Sequence, residues 1–245
     1  MSMTDGELAA HLAREAGELA LRLRKSGEFS GRALGEAGDR RANALLVAAL
    51  RKHRPDDGLL SEESRDTMDR LGKSRVWIVD PVDGTLEYSE GRRDWAVHVG
   101  LAIEGKPAIG AVGLPGLGLI MRSDTPGPAP VAADSLRIVV SRTRPPKEAT
   151  ALAQAIGAEL VPMGSAGAKA MAVVRGEAEI YLHAGGQHEW DNCAPAAVAL
   201  AHGLHASRID GSPLRYNQPD THVPDLLICR KELAKRMLGE IARLL

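Results

Sequence analysis

Trp77-Ile78-Val79-Asp80-Pro81-Val82-Asp83-Gly84-Thr85 changes character halfway along. With Arg75-Val76 ahead of it, its first part is a short apolar, β-branched run that predicts a buried strand ending at Asp80. Pro81 fixes the backbone between two aspartates, which can turn the Val82 carbonyl toward the same side as the carboxylates. Gly84-Thr85 then opens a helical turn whose free amide N–H groups suit a phosphate oxygen. Asp-Pro-x-Asp-Gly is also good turn chemistry, and by itself it could simply join a strand to a helix.

Working outward, Leu8, Leu12, Ala16, Leu19 and Leu23 recur at helical spacing and predict an amphipathic helix over 5–24. Asp39 stands as an N-cap candidate before Ala42, Leu45, Leu46, Ala49 and Leu50, a helix that His53-Arg54-Pro55 ends. After the nonapeptide, 95–103, 107–114 and 119–121 read as an antiparallel meander. Residues 123–130, with three prolines and a glycine, mark a boundary between an N-terminal α+β half (1–125) and a C-terminal α/β half (126–245) of one catalytic unit. Beyond it the pattern alternates: strand 136–140, helix 146–156, strand 159–162, helix 166–175, strand 178–182, helix 191–202, strand 226–229, helix 231–244. Such alternation favours α/β architecture.

The 245 residues carry 31 Lys+Arg against 32 Asp+Glu, so there is no global field to recruit nucleic acid or an anionic membrane. An aromatic content of 3% argues against a stacking platform for single strands. Met1 to Ala10 lacks a basic-then-apolar leader pattern, and no apolar run approaches the ~20 residues of a membrane span. Cys193 and Cys229 are far apart and give no zinc spacing. A soluble, cytoplasmic protein is expected.

Asp80, Asp83 and the pair Glu62-Glu63 are hard oxygen donors, expected at or beyond strand ends, where loops on a rigid sheet place functional groups. Crowded carboxylates repel one another, and a divalent cation, Mg²⁺ before others, removes that penalty. Taken singly, Glu62-Glu63 reads as a solvated pair and Asp39 as a cap. Their occurrence in order with a later Trp190-Asp191 favours a site. Leu60-Ser61-Glu62-Glu63-Ser64, the central nonapeptide, Glu189-Trp190-Asp191 and Gly38-Asp39-Arg40-Arg41-Ala42-Asn43 together resemble the successive signatures of the inositol-monophosphatase superfamily over nearly the whole chain.

That resemblance implies a layered αβαβα sandwich of the inositol-monophosphatase/sugar-phosphatase type, a cluster of two or three Mg²⁺ ions, inhibition by Li⁺ and a homodimer. It makes Glu62, Asp80 and the Val82 carbonyl ligands of one metal, and Asp80, Asp83 and Asp191 ligands of a second. Thr85 and Asp39 become the pair that activates water for direct attack on phosphorus, with no phosphoenzyme. Gly84, Thr85 and Asp191 would meet the substrate.

The substrate is read from the distal pocket. Ser141-Arg142, and Gly164-Ser165 followed by Lys169, resemble the CysQ-type branch, which hydrolyses the 3'-phosphate of 3'-phosphoadenosine 5'-phosphate (PAP). A bisphosphate needs a second anion site, which Arg142, Lys169 and the amides at Gly164-Ser165 could form. Against this, Gly164-Ser165 could merely cap the following helix. Tyr216 is a candidate wall for the base, Tyr88 reads as packing, and Cys193 as a small buried helix residue. The expectation is a 3'(2'),5'-bisphosphate nucleotidase serving sulfate assimilation. The alternatives are a broad inositol or fructose-1,6-bisphosphate phosphatase and a non-catalytic metal- or phosphate-binding sensor.

Overall fold

A computed structural model describes residues 3–131 and 135–244. The apolar run predicted at 75–79 extends to nine residues, β2 (Arg75–Asp83). Its side chains divide between two cores: Val76 and Ile78 enter one, Trp77 and Val79 the other. Burial on both faces explains why the strand reads as continuously apolar. β1 (Gly58–Ser61) pairs parallel to it, and β3 (Ala96–Ile103), β4 (Lys106–Leu114) and β5 (Leu119–Arg122) follow as an antiparallel meander, giving the order β1-β2-β3-β4-β5.

On the Trp77 face lie α1 (Asp5–Ser26) and α2 (Gly31–His53). Thr4 starts α1 with a capping box, its hydroxyl accepting from the Glu7 amide and its amide donating to the Glu7 carboxylate. α2 begins eight residues before the expected cap. Asp39 is therefore an interior helix residue, 7% exposed, and not an N-cap. The early glycines of this helix hide its start in the sequence, but they have a packing reason. A Cβ at Gly35 would lie 2.6 Å from Thr85 Cγ2, and one at Gly38 would lie 2.7 Å from Tyr88 Cε1. Their absence lets α2 press against α3 (Thr85–Ser89).

The second sheet has the order β7-β6-β8-β10-β9, built from β6 (Arg137–Ser141), β7 (Glu159–Met163), β8 (Ile180–His188), β9 (His205–Ser207) and β10 (His222–Cys229). α5 (Ala166–Val174) and α6 (Glu189–Ala201) share one core with both sheets, while α4 (Lys147–Ile156) and α7 (Ala234–Leu244) cover the far face. The layers are thus α1α2, sheet, α5α6, sheet, α4α7, the αβαβα sandwich. β8 runs six residues past its expected end because Gly185 and Gly186, at φ 112° and 91°, continue the strand instead of turning it. The partner β10 absorbs the irregularity by a register shift between Val223 and Asp225. No described helix is long and apolar enough to cross a membrane.

Candidate active site

Three aspartates from two elements converge. Asp80 and Asp83 come from the end of β2, where the pairing with β3 slips register, and Asp191 comes from the first turn of α6. Their carboxylates offer oxygens that all lie within 4.8 Å of one another. Asp191 is also the third residue of its helix, and its Oδ2 accepts from the His188 amide at 2.5 Å. The capping bond orients the side chain, and the helix N-terminus suits its charge.

Glu62 follows β1 directly. Its amide donates to the Val79 carbonyl at 3.3 Å, which sets it beside Asp80. Asn43 of α2 straps this turn: its Oδ1 accepts from Ser61 Oγ at 2.7 Å and its Nδ2 donates to Ser64 Oγ at 3.1 Å. Nothing in the motif Gly38-Asp39-Arg40-Arg41-Ala42-Asn43 signals this strapping role, because the partners lie 18 and 21 residues away. Charge accumulates here. Burial, then the carboxylate of Asp191, lifts Glu62 to about 7. Burial, followed by Glu62, Asp83 and Asp191, pushes Asp80 well above the usual carboxylate range, and burial with Asp83 raises Asp191 to about 6. Asp83 goes the other way: against burial, which alone would raise it, His98 leads and the Gly167 amide and Lys169 follow in holding it below the usual value.

Thr85 and Asp39 border the cluster. Thr85 Oγ1 lies 3.3 Å from Asp39 Oδ2 and 3.1 Å from the Val82 carbonyl, two acceptors for one hydroxyl proton. Asp39 Oδ1 is buried with no hydrogen-bond partner, and burial followed by the charge of Glu63 raises its carboxyl to about 7. Gly84, at φ 85°, makes the turn into α3, and a Cβ there would come 2.8 Å from Ser165 Cβ. A knot of buried, mutually repelling acids is what a hard divalent cation would resolve, so the donor set fits one. A cleft of about 490 Å³ lined by Arg32, Gly35, Glu36, Thr85, Leu86 and Ser89 opens beside Thr85.

The residues expected to grip a second anion are otherwise engaged. Lys169 is 5% exposed and turned inward, its Nζ donating to the carbonyls of Gly164 and of Ser165, the latter at 2.7 Å. The amides of Gly164 and Ser165 donate to Asp94, at 2.7 Å to its Oδ2 and 3.2 Å to its carbonyl, and Ser165 Oγ caps α5 by accepting from Ala168. The next amides, of Ala166 and Gly167, donate to Asp83 at 3.1 and 2.6 Å. The structure therefore corrects the expectation that this turn offers free donors: oxygens of Asp94 and Asp83 already accept from its amides. Arg142 binds Glu87 and Glu90, each at 2.6 Å, and Ser141 sits at the end of β6 accepting from the Arg144 amide at 3.2 Å. Tyr216 is not a wall for a base; it is fully buried and donates to Asn192 Oδ1 at 2.9 Å. Tyr88 is fully buried too, its hydroxyl donating to the Ala20 carbonyl at 2.7 Å.

A five-layer sandwich with an acid cluster at a β2 strand end and an α6 helix start is a defined class, and its family model, the inositol monophosphatase family, matches residues 7–244; the chain belongs to that family. Within it, the chain is 52% identical over 254 aligned positions to a 3'-phosphoadenosine 5'-phosphate phosphatase of Mycobacterium leprae, covering 98% of this chain and 94% of the relative. It is 31% identical to the 3'(2'),5'-bisphosphate nucleotidase CysQ of Escherichia coli, over 74% of this chain and 78% of that one. Among solved structures, CysQ from Bacteroides thetaiotaomicron superposes with a TM-score of 0.79 at 25% identity, covering 93% of this chain and 97% of that one.

Proposed function

We propose that this chain is a Mg²⁺-dependent phosphatase that hydrolyses the 3'-phosphate of PAP to give AMP and phosphate. The observation that carries the reaction type is the juxtaposition of the Asp80–Asp83–Asp191 cluster with the Thr85–Asp39 pair. The substrate follows from the 52% identity to a PAP phosphatase, since the distal pocket by itself offers few uncommitted donors.

In this reading Glu62, Asp80, the Val82 carbonyl, Asp83 and Asp191 hold the ions. When bound, the ions supply Lewis acidity toward the phosphoryl oxygens and the attacking water. The protein's own part is proton handling and orientation. Thr85 Oγ1 accepts a hydrogen bond from the water and passes its own proton to Asp39 Oδ2, whose carboxyl at about 7 is poised to receive it near neutral pH. The Val82 carbonyl fixes the rotamer of the threonine meanwhile. The turn from β2 into α3 at Gly84 leaves the amides of Gly84 and Thr85 to orient the phosphoryl group. Ser141, Arg142, Gly164, Ser165 and Lys169 contribute by shaping the distal wall, through the engagements above.

Residence in the cytoplasm, supported by the cysteine usage and the sequence pattern, belongs to the same proposal, as do a role in sulfate assimilation, homodimerisation and sensitivity to Li⁺, supported by the resemblance. The test is kcat/KM for PAP, inositol 1-phosphate and fructose 1,6-bisphosphate under one Mg²⁺ concentration. PAP is expected to lead clearly, and a preference for either sugar phosphate sinks the substrate assignment while leaving the phosphatase standing.

A further inference from the structure

His98 is the one polar side chain in the apolar stretch Ala96-Val97-His98-Val99 of β3, and it is 0% exposed. An aliphatic residue would satisfy the strand, so an imidazole here calls for partners. Nδ1 lies 2.9 Å from the carbonyl of Trp190, in the first turn of α6 and one residue before Asp191. Nε2 lies 3.1 Å from Asp83 Oδ2, in ion-pair range though off the line of a hydrogen bond. In the β2–β3 ladder His98 stands directly opposite Asp80, and the register slip after Asp80 is what brings Asp83 back to the same ring. One side chain is thus referenced to all three clustered aspartates.

The third neighbouring element gives way for it. A Cβ built on Gly167, in the first turn of α5, would fall 2.1 Å from His98 Nε2, so only a glycine leaves the ring its place. The Gly167 amide meanwhile donates to the same Asp83 oxygen that the imidazole faces. The ring therefore sits where β2, α5 and α6 meet.

We propose that His98 is a positioning residue of the carboxylate cluster: by holding Asp83 through Nε2 and the Trp190 carbonyl through Nδ1, it sets the spacing between the end of β2 and the first turn of α6, and so the pair Asp83–Asp191 that a shared divalent ion needs. This rests on the reading of the cluster as a metal site. Groups that orient metal ligands typically change metal affinity by about 10- to 100-fold when removed.

The side-chain amide of Asn can reproduce the Nδ1 contact but not the Nε2 contact, whereas that of Gln reaches toward Nε2. The experiment is calorimetric titration of Mn²⁺ and Mg²⁺ into metal-free wild type, His98→Asn, His98→Gln and His98→Leu without substrate, alongside kcat and KM for PAP across Mg²⁺ concentrations. His98→Asn is expected to weaken metal binding about tenfold or more and to raise the Mg²⁺ needed for half-maximal turnover by the same factor. KM for PAP at saturating Mg²⁺ should stay within about twofold. His98→Gln should recover most of the affinity and His98→Leu should not. Wild-type affinity in His98→Asn overturns the inference, as does equal loss in Gln and Leu, which would reduce His98 to packing. If His98→Asn fails to fold, Gly167→Ala decides, because its methyl crowds Nε2 away from Asp83, and undiminished metal binding there overturns the inference. A wild type that binds metal but ignores PAP would sink the substrate reading and still leave His98 judged by the titrations.

Discussion

Asp39 shows how far single residues could be read. Its place in Gly38-Asp39-Arg40-Arg41-Ala42-Asn43 gave it both a role by resemblance and a bland one as a cap, and only the extent of α2 removes the cap. A buried carboxyl raised to about 7, with one oxygen unpartnered, is a costly residue unless its chemistry is used. Asp39→Asn should therefore lower kcat about 10²- to 10⁴-fold, the usual worth of a general base. The same variant should leave the melting temperature of the metal-free protein unchanged or higher, since the buried charge is gone. Parallel stopped-time assays and calorimetry check this; retained turnover removes Asp39 from the mechanism. The clustered aspartates were legible because Asp80, Asp83 and Asp191 fall in short signatures. His98 and Asn43 were not, because a lone polar residue in a strand or helix does not reveal which distant oxygen it meets.

Between elements, the deciding contact is α2 on α3. Spacing predicted the helical body after Ala42 but not its first turns, since Gly31, Gly35 and Gly38 lower helix propensity. The value of Gly35 and Gly38 is tertiary, and a single chain pattern carries no record of the facing Thr85 and Tyr88. Gly35→Ala separates the two effects. Helix propensity favours alanine by about 1 kcal/mol, while overpacking against Thr85 costs about 1–3 kcal/mol. Net stability should therefore fall by no more than about 2 kcal/mol. Activity should fall further, by about tenfold to a hundredfold, because Thr85 is displaced relative to Asp39. Thermal melts with kcat measurements on one preparation test this; equal, small changes in both would mean that the close approach does not set the catalytic geometry. β8 shows the same in a strand: the sequence pattern predicts an end at 182, and pairing with β10 carries the strand on through Gly185-Gly186.

At the scale of the whole molecule, the site is held together against its own charge. Glu62 just after β1, Asp80 and Asp83 of β2, Asp39 of α2 and Thr85 of α3 come together, and α6, which follows β8 of the second sheet, brings Asp191, so folding itself assembles the repulsion. This could not be read from the chain, where the order β7-β6-β8-β10-β9 rests on pairings between distant segments. Its consequence is a pH dependence with a definite sign. Asp39 and Glu62 titrate near 7 and Asp191 near 6 when folded, against 3.8 for aspartate and 4.5 for glutamate when unfolded. Between roughly pH 4 and 7 the metal-free folded chain thus binds more protons than the unfolded chain, and its stability falls as pH rises through that window. Asp5, Asp66, Asp83, Asp94 and Asp124 are shifted downward, so their contribution is complete above that window's lower edge and does not cancel the trend. His183 and His205, lowered by burial, oppose the trend toward the window's upper edge without outweighing the three raised carboxyls, and buried Lys169, lowered to about 8, acts above it. Scanning calorimetry in chelator should show a lower melting temperature at about pH 8 than at about pH 5. Mg²⁺ held at one concentration, about a hundred times its dissociation constant at about pH 8, adds about 2.7 kcal/mol there, or on the order of 5–10 °C for a chain of this size. That gain should be largest at the alkaline end, where the ion meets carboxylates already stripped of protons, and a metal stabilisation that is flat with pH would mean that the cluster is not where the ion binds.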